Sequence, residues 1–250
     1  MLPVSSSGHV EAARVLFGIS GGDEVGLHAG SLAALVFGCR AEALEILRRL
    51  SWRRVGMHLA AGAIPAGAGY ALELVRPRPA VGPPGRTQRP PVRAQGDKGV
   101  PGTFVPPRRA VPSVAIGMVA GAGLLLVAER ASGERSRWDA GPVDGVWLGL
   151  AQAAALWPGV SRNGATLAAA RLRGFAPSEA NPLSREVGVP VTLGAVALRR
   201  APLSPGVVAA FASALATLPA LRMVDRGGAL WPWAAERAAV AVLCLRHSRA

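Results

Sequence analysis

The chain has 250 residues, half of them hydrophobic and only 17% charged, with a mean hydropathy of +0.31. A soluble domain carries about 25% charged residues; here charges are fewer and clumped between long charge-poor stretches, which excludes an ordinary water-soluble globule and points to a bilayer as solvent. The net charge of +13 does not indicate nucleic acid: Lys98 is the only lysine, the arginines track a composition rich in Ala, Gly and Pro, and few aromatics interleave with them to stack on bases.

In chain order, the N-terminus reads Met-Leu-Pro-Val-Ser-Ser-Ser-Gly-His, with neither the basic nor the apolar region of a cleavable signal. Apolar segments follow at about 25–39 and 55–72. Between 76 and 110 the sequence turns to prolines and arginines with no apolar period, which predicts a flexible loop outside the membrane. Further apolar segments run at about 111–128, 143–157, 187–198, 203–221 and 229–245. Several are shorter than the roughly 20 residues an upright span requires, which suits shielded or re-entrant helices. Small residues (Ala60, Ala61, Gly62, Gly67, Gly69, Gly117, Gly121, Gly123) are expected to let helices approach closely. Arg40, Arg48, Arg49, Arg53 and Arg54 mark one loop as cytoplasmic, yet 76–110 is also basic, so charge alone does not orient the chain. Cys39 and Cys244 read as small buried hydrophobes rather than a disulfide or a metal site.

An internal repeat is visible. Val4-Ser5-Ser6-Ser7-Gly8 matches Val160-Ser161-Arg162-Asn163-Gly164, each shortly after a proline (Pro3, Pro158), and at the same offset Ala12, Ala13 and Gly18 fall on Ala168, Ala169 and Gly174. Glu24-Val25-Gly26 recurs as Glu186-Val187-Gly188. Paired halves with Pro/Gly-interrupted polar segments are the pattern of a membrane fold with internal repeats, its site where the interrupted segments meet.

Each interrupted segment is a hydroxyl-rich turn leading into a helical stretch, and a helix N-terminus favours phosphate. Ser5, Ser6, Ser7, Ser161, Asn163 and Thr166 offer hydrogen-bonding groups, and Arg162 offers a fork for two phosphate oxygens. An arginine at membrane depth calls for an anionic partner, such as a diphosphate. His9 lies three residues from Ser6, so Ser6 with His9 is a candidate nucleophile and base; His9 attacking phosphorus itself, or activating water, is the alternative. His28 is expected to line the same cavity, His58 and His247 to lie at interfaces or on the surface, and Glu73 and Glu129 at the membrane boundary. No metal-ligand spacing is present in the sequence.

These motifs resemble a known family. Leu2-Pro3-Val4-Ser5-Ser6-Ser7-Gly8-His9 looks like the first signature of the undecaprenyl-diphosphate phosphatases of the bacitracin-resistance type, and Trp157-Pro158-Gly159-Val160-Ser161-Arg162-Asn163-Gly164-Ala165-Thr166 is similar to their second, usually PGxSRSGxT. The flanks Gly149 to Gln152, Leu172 to Gly174, Val189 to Ala195, Ile64-Pro65-Ala66 and Ala115-Ile116-Gly117 agree.

The resemblance implies an all-α, polytopic membrane helical bundle with internal inverted repeats and two re-entrant helical hairpins, a single domain over 1–250 interrupted by the loop at 76–110. It implies a multi-pass protein of the bacterial cytoplasmic membrane that hydrolyses undecaprenyl diphosphate to undecaprenyl phosphate and inorganic phosphate, recycling the carrier lipid of peptidoglycan synthesis. By position, Ser6 matches the proposed nucleophile, His9 the family histidine, and Ser161-Arg162 the phosphate-binding pair. A divalent cation, Mg²⁺ or Ca²⁺, is implied by the resemblance alone, and the oligomeric state is left open. The family also places Glu-x-x-x-Glu just before Leu-Pro-x-Ser-Ser, where this chain has Met1; an earlier start is expected to restore the pair, and the chain without it to turn over little. Asn163 in place of serine is a mild change, since it still donates and accepts. The second reading is a non-catalytic membrane protein that binds or moves a phosphorylated polyprenyl lipid.

Overall fold

Stretches rich in Ala, Leu and Val favour helix, and Pro and Gly set its ends. The structure is a computed structural model that describes residue 9 and residues 24–75, 110–131, 133–199 and 204–249. Its helices are α1 (Glu24–Gly38), α2 (Arg40–Arg48), α3 (Trp52–Val75), α4 (Ala110–Arg130), α5 (Pro142–Ala154), α6 (Arg162–Leu172), α7 (Pro177–Arg199), α8 (Pro205–Ala216), α9 (Leu218–Asp225) and α10 (Trp231–Arg249), with a 3-10 turn at Arg137–Asp139. Among the described residues there is no strand, only an isolated bridge between Arg135 and Phe175. The loop expected at 76–110 lies outside the described residues, apart from Ala110, which opens α4.

Most apolar segments fall on single helices. The one at 187–198 is the second half of α7, because polar residues from Pro177 onward continue the same helix. The one at 203–221 divides into α8 and α9, bent by 45°. The arginine-rich stretch expected as a loop contains α2, whose Glu42 and Glu45 balance its basic residues. The stretches matched in the repeat take different places: Glu24 begins α1, whereas Glu186 lies inside α7.

Helix α6 sits in the middle. It packs against α4, α5 and α7; α5 in turn packs on α3, α10 on α4, and α1 on both α7 and α8. Met57, Leu125, Leu148, Leu167, Phe175 and Leu183 form the core around it. The expected glycine contacts are only partly realised. A Cβ at Gly62, Gly67, Gly69 or Gly123 would meet open space, whereas Gly149 on α5 lies so close to α3 that its Cβ would stand 2.9 Å from the Ala60 carbonyl. Gln152, one turn on, donates to the Ala61 carbonyl at 3.0 Å and fixes that contact.

Helix α4 is apolar all round. Met118 and Leu125 are buried, but Ile116, Val119 and Val127 on its other side are exposed, as are Leu59, Trp147 and Leu150 on α3 and α5. Apolar surface of this extent suits hydrocarbon rather than water. Val111–Arg130 is by itself long and apolar enough to cross a membrane, and α8 with α9 passes the same test as one bent span.

The charged residues gather where helices end. Glu42 pairs with Arg137 and, at 2.6 Å, with Arg185; Arg185 also reaches Asp225 at 3.0 Å. Arg54, expected in a surface loop, is buried against Glu186, and His58, expected at an interface or on the surface, lies 3.1 Å from the same carboxylate. The Trp138 ring is covered by the guanidinium groups of Arg49, Arg54 and Arg137 at 4.5, 4.5 and 4.6 Å. Glu129 accepts from the Leu230 amide at 3.0 Å and so joins α4 to the start of α10.

Asp144, in the first turn of α5, makes the most complete of these contacts. It accepts from Arg135 at 2.9 and 3.1 Å, from Arg173 at 3.1 Å and from the Gly141 amide at 3.1 Å. The hydrogen bond with Asp144 is the first cause that holds the Arg135 guanidinium above its ordinary range. Replacing Asp144 by Ala leaves two half-exposed arginines to rehydrate, so the loss should fall near the low end of that for a broken buried pair, about 2–3 kcal/mol. Thermal unfolding in detergent measures it; an Asp144→Ala protein that melts with the wild type would show that the clamp does not hold the start of α5 to the end of α6.

Candidate active site

The turn before α6 is dictated by its sequence. Pro158 fixes one backbone angle, and Gly159 takes φ +88°, a conformation that suits glycine. The Trp157 indole donates to the Ser113 carbonyl at 3.1 Å, tying the turn to α4. Ser161 then adopts extended backbone and caps α6, its Oγ accepting from the Gly164 amide at 3.1 Å. Such a cap leaves the other first-turn amides and the positive end of the helix dipole directed at whatever lies before the helix.

What lies beside it is a cavity of about 700 Å³. Ser161, Arg162 and Asn163 form one wall, Thr192 of α7 and His28 and Ser31 of α1 another, and Ser213 and Thr217 a third, with Leu27, Leu32, Leu35, Leu218 and Leu221 between them. Arg162 is exposed in this space and donates from Nη1 to Thr192 Oγ1 at 3.0 Å; Thr192 in turn donates to the Gly188 carbonyl at 3.0 Å. The guanidinium is thus steered from one side by a neutral hydroxyl. An amphiphilic cavity of this size suits a ligand with an anionic head and an apolar body.

The residues expected at the site do not all reach it. Ser161, Arg162, Asn163 and His28 share the cavity. Asn163 is buried, donates to Asn181 Oδ1 at 3.1 Å and accepts from Ser184 at 2.7 Å. The Thr166 hydroxyl faces the same Ser184 and its own helix, at the Arg162 carbonyl 2.9 Å away, and does not line the cavity. Ser5, Ser6 and Ser7 lie outside the described residues. His9 is described, and its Nε2 is hydrogen-bonded to Glu236 of α10, 227 residues away in sequence.

That bond exposes what sequence reasoning missed. Glu236 and Arg237 sit inside the run read as apolar at 229–245; an adjacent acid and base within such a run was the available signal. Arg237 is fully buried, and among the described residues Glu236 Oε2 and all three guanidinium nitrogens of Arg237 have no hydrogen-bond partner. Asn181 and Ser184, on the polar half of α7, were likewise missed as the layer behind α6.

A second groove of about 460 Å³ lies between α1, α2 and α7, mostly apolar, with Glu42, His58, Arg185 and Glu186 along its floor. Those four groups are already engaged in the ion pairs above, so Arg162 marks the better candidate for ligand binding. Among the described residues no group of three or more His, Cys, Asp or Glu is placed to hold a metal ion. The hydroxyls and amide around the start of α6 form a poor cage for a hard cation without a carboxylate.

Comparison with known proteins follows the same residues. Residues 100–243 match the sequence model of the family described as bacitracin resistance protein BacA. The chain is 33% identical to a protein named undecaprenyl-diphosphatase from Synechococcus sp. (strain RCC307), over 80% of this chain and 68% of that one. It is 30% identical to the protein of that name from Prochlorococcus marinus (strain MIT 9303), over 98% of this chain and 85% of that one. The match to the namesake from Parasynechococcus marenigrum (strain WH8102), at 31% identity, covers 76% of this chain but only 63% of that relative's length.

Removing the Ser161 hydroxyl removes the cap. Ser161→Ala is expected to cost about 1 kcal/mol of stability, with Ser161→Thr close to wild type, as for helix caps elsewhere. Melting curves in detergent decide it: an alanine variant as stable as the serine protein would mean that the turn, not the cap, starts α6.

Proposed function

The chain belongs to the bacitracin resistance protein BacA family, and on that premise we propose that it hydrolyses undecaprenyl diphosphate to undecaprenyl phosphate and inorganic phosphate. The observation that carries this reading to the site is Arg162, a guanidinium exposed in an amphiphilic cavity at the capped N-terminus of a buried helix.

The proposed chemistry is cleavage of the anhydride between the two phosphates. The terminal phosphorus is attacked, and the lipid phosphate leaves. Phosphoryl transfer needs little from a protein beyond positioning and charge stabilisation. Arg162 supplies a fixed positive fork, the first turn of α6 supplies oriented amides, and Ser161 and Asn163 border the same space. Ser5, Ser6 and Ser7 are proposed to supply the matching hydroxyls from the first signature. Ser6, His9 or a water is the attacking group; the bond from His9 to Glu236 fixes the ring for either base or nucleophile duty. Thr166 acts from behind, through Ser184. The donor set described does not make a cation cage, so no step is assigned to a metal. Mg²⁺ or Ca²⁺ enters the proposal as an added ion whose effect the assay reads.

The same reading places the whole chain in the bacterial cytoplasmic membrane as one multi-pass domain with 76–110 as a loop outside the bilayer. Exposed apolar side chains on α3, α4 and α5 support it. The inverted repeats and re-entrant hairpins belong to it as well. In their support, α5 and α6 have 13 and 11 residues, pack against each other and are joined through the Trp157–Ser161 turn; both are too short to cross a bilayer that requires about 20 residues.

The test is phosphate release from undecaprenyl diphosphate by the protein expressed from its natural gene, in detergent with Mg²⁺ or Ca²⁺. Arg162→Ala is expected to lower kcat/KM by about 10²-fold or more, the range for losing a charge-stabilising donor. Equal release by Arg162→Ala and wild type would remove the site from the reaction. Retention of the lipid with no release by either would replace hydrolysis with binding.

A further inference from the structure

Buried arginines elsewhere in the structure are provided for. Arg54 donates to Glu186 and to the Arg137 carbonyl, Arg171 to the Ala128 carbonyl, and Arg185 to Glu42 and Asp225. Arg237 is more deeply buried than any of these and has no hydrogen-bond partner among the described residues. An arginine does not shed its proton, so a sealed guanidinium without an acceptor is a charge held at a cost. The neighbouring Glu236 carboxylate attracts this charge but gives it no hydrogen bond, since it is turned to His9.

The guanidinium has a definite seat. It lies over two glycines, Gly121 of α4 and Gly164 of α6. A Cβ at residue 121 would stand 2.7 Å from Nη1 and 3.0 Å from Cζ; one at residue 164 would stand 3.2 Å from Nη1. The same position at Gly164 is 3.2 Å from the Ser161 Cβ and 3.4 Å from its Oγ. Arg237 therefore abuts the first turn of α6, the turn whose residues Ser161 and Arg162 line the cavity. The guanidinium and that capping serine both border the space that a side chain at residue 164 would fill.

We propose that Arg237 is a second phosphate-binding guanidinium of this site, taking one phosphate of a diphosphate ester while Arg162 takes the other. This rests on the proposed hydrolysis for its ligand. An ester of diphosphate brings two anionic groups, and each calls for a donor fork of its own. The missing acceptor of Arg237 arrives with the ligand. His9, held by Glu236 beside Arg237, is then placed at the same phosphate.

Inorganic pyrophosphate and inorganic phosphate are the probes, titrated by calorimetry against the detergent-purified protein, Arg237→Met and Arg237→Lys. Wild type should prefer pyrophosphate. Arg237→Met should lose about tenfold or more in pyrophosphate affinity and much less in phosphate affinity, so that the preference collapses. Without ligand, Arg237→Met should melt at or above the wild-type temperature, since an unpaired buried charge has gone. A merely structural arginine predicts the opposite: a lower melting temperature and an unchanged preference, which would overturn the proposal. If Arg237→Met does not fold, Arg237→Lys decides. It keeps the charge and loses the fork; weakened pyrophosphate binding with phosphate unchanged supports the assignment, and wild-type affinity for both anions rejects it. Hydrolysis measured alongside separates the two levels. Active wild type with an unchanged pyrophosphate preference in Arg237→Met sinks this inference alone. A preference that collapses in Arg237→Met, with a wild type that releases no phosphate, keeps the anion site and sinks the hydrolysis.

Discussion

Charge inside a helical bundle must meet opposite charge or a ring of dipoles, and the layout of this protein follows from where that demand is satisfied. In one part of the bundle it is met by opposite charge. Glu42 serves two arginines, Asp144 two more, and Trp138 is covered by three guanidinium groups. These contacts join segments far apart in the chain: they fix α2, α7 and α9 to one another and the start of α5 to the end of α6. Around the start of α6 the demand is met only in part: Arg162 has a neutral hydroxyl, and Arg237 has no hydrogen-bond acceptor among the described residues. Ion pairs thus frame a region that is positive and lacks opposite charge, a division of labour suited to capturing an anion.

Helix α6 links the two. It is buried along most of its length, wedged between α4, α5 and α7, and its polar first turn is held from behind by Asn181 and Ser184. A site built on such an element keeps its geometry without help from a flexible loop. The cavity beside it is polar where α6 and Thr192 face it and leucine-rich where α1 and α9 do, which matches a headgroup attached to a long apolar chain.

Much of this was legible in the sequence, for identifiable reasons. Helices are local, so apolar runs located most of them. The Pro-Gly-Val-Ser-Arg order contains its own turn and cap, so the start of α6 could be read directly. Partnerships between distant residues could not. Nothing near Arg54 in sequence announces Glu186, so a cluster of arginines looked like a loop. Glu236 and Arg237 vanished into the average of an apolar run, and only the fold reveals that one meets His9 and the other lies against Gly164. Glycine content was similarly ambiguous: Gly62, Gly67 and Gly69 face open space, while Gly121 and Gly164 accommodate a side chain from α10.

That last arrangement binds three positions into one evolutionary unit. The space a guanidinium occupies over α4 and α6 exists because residues 121 and 164 carry no side chain. A mutation that adds a methyl at 121 evicts the arginine. One that shortens residue 237 leaves a void that larger residues at 121 or 164 are then free to fill. Drift at any of the three is therefore conditional on the other two, and a lineage that abandons Arg237 should be recognisable by side chains appearing where its glycines had been.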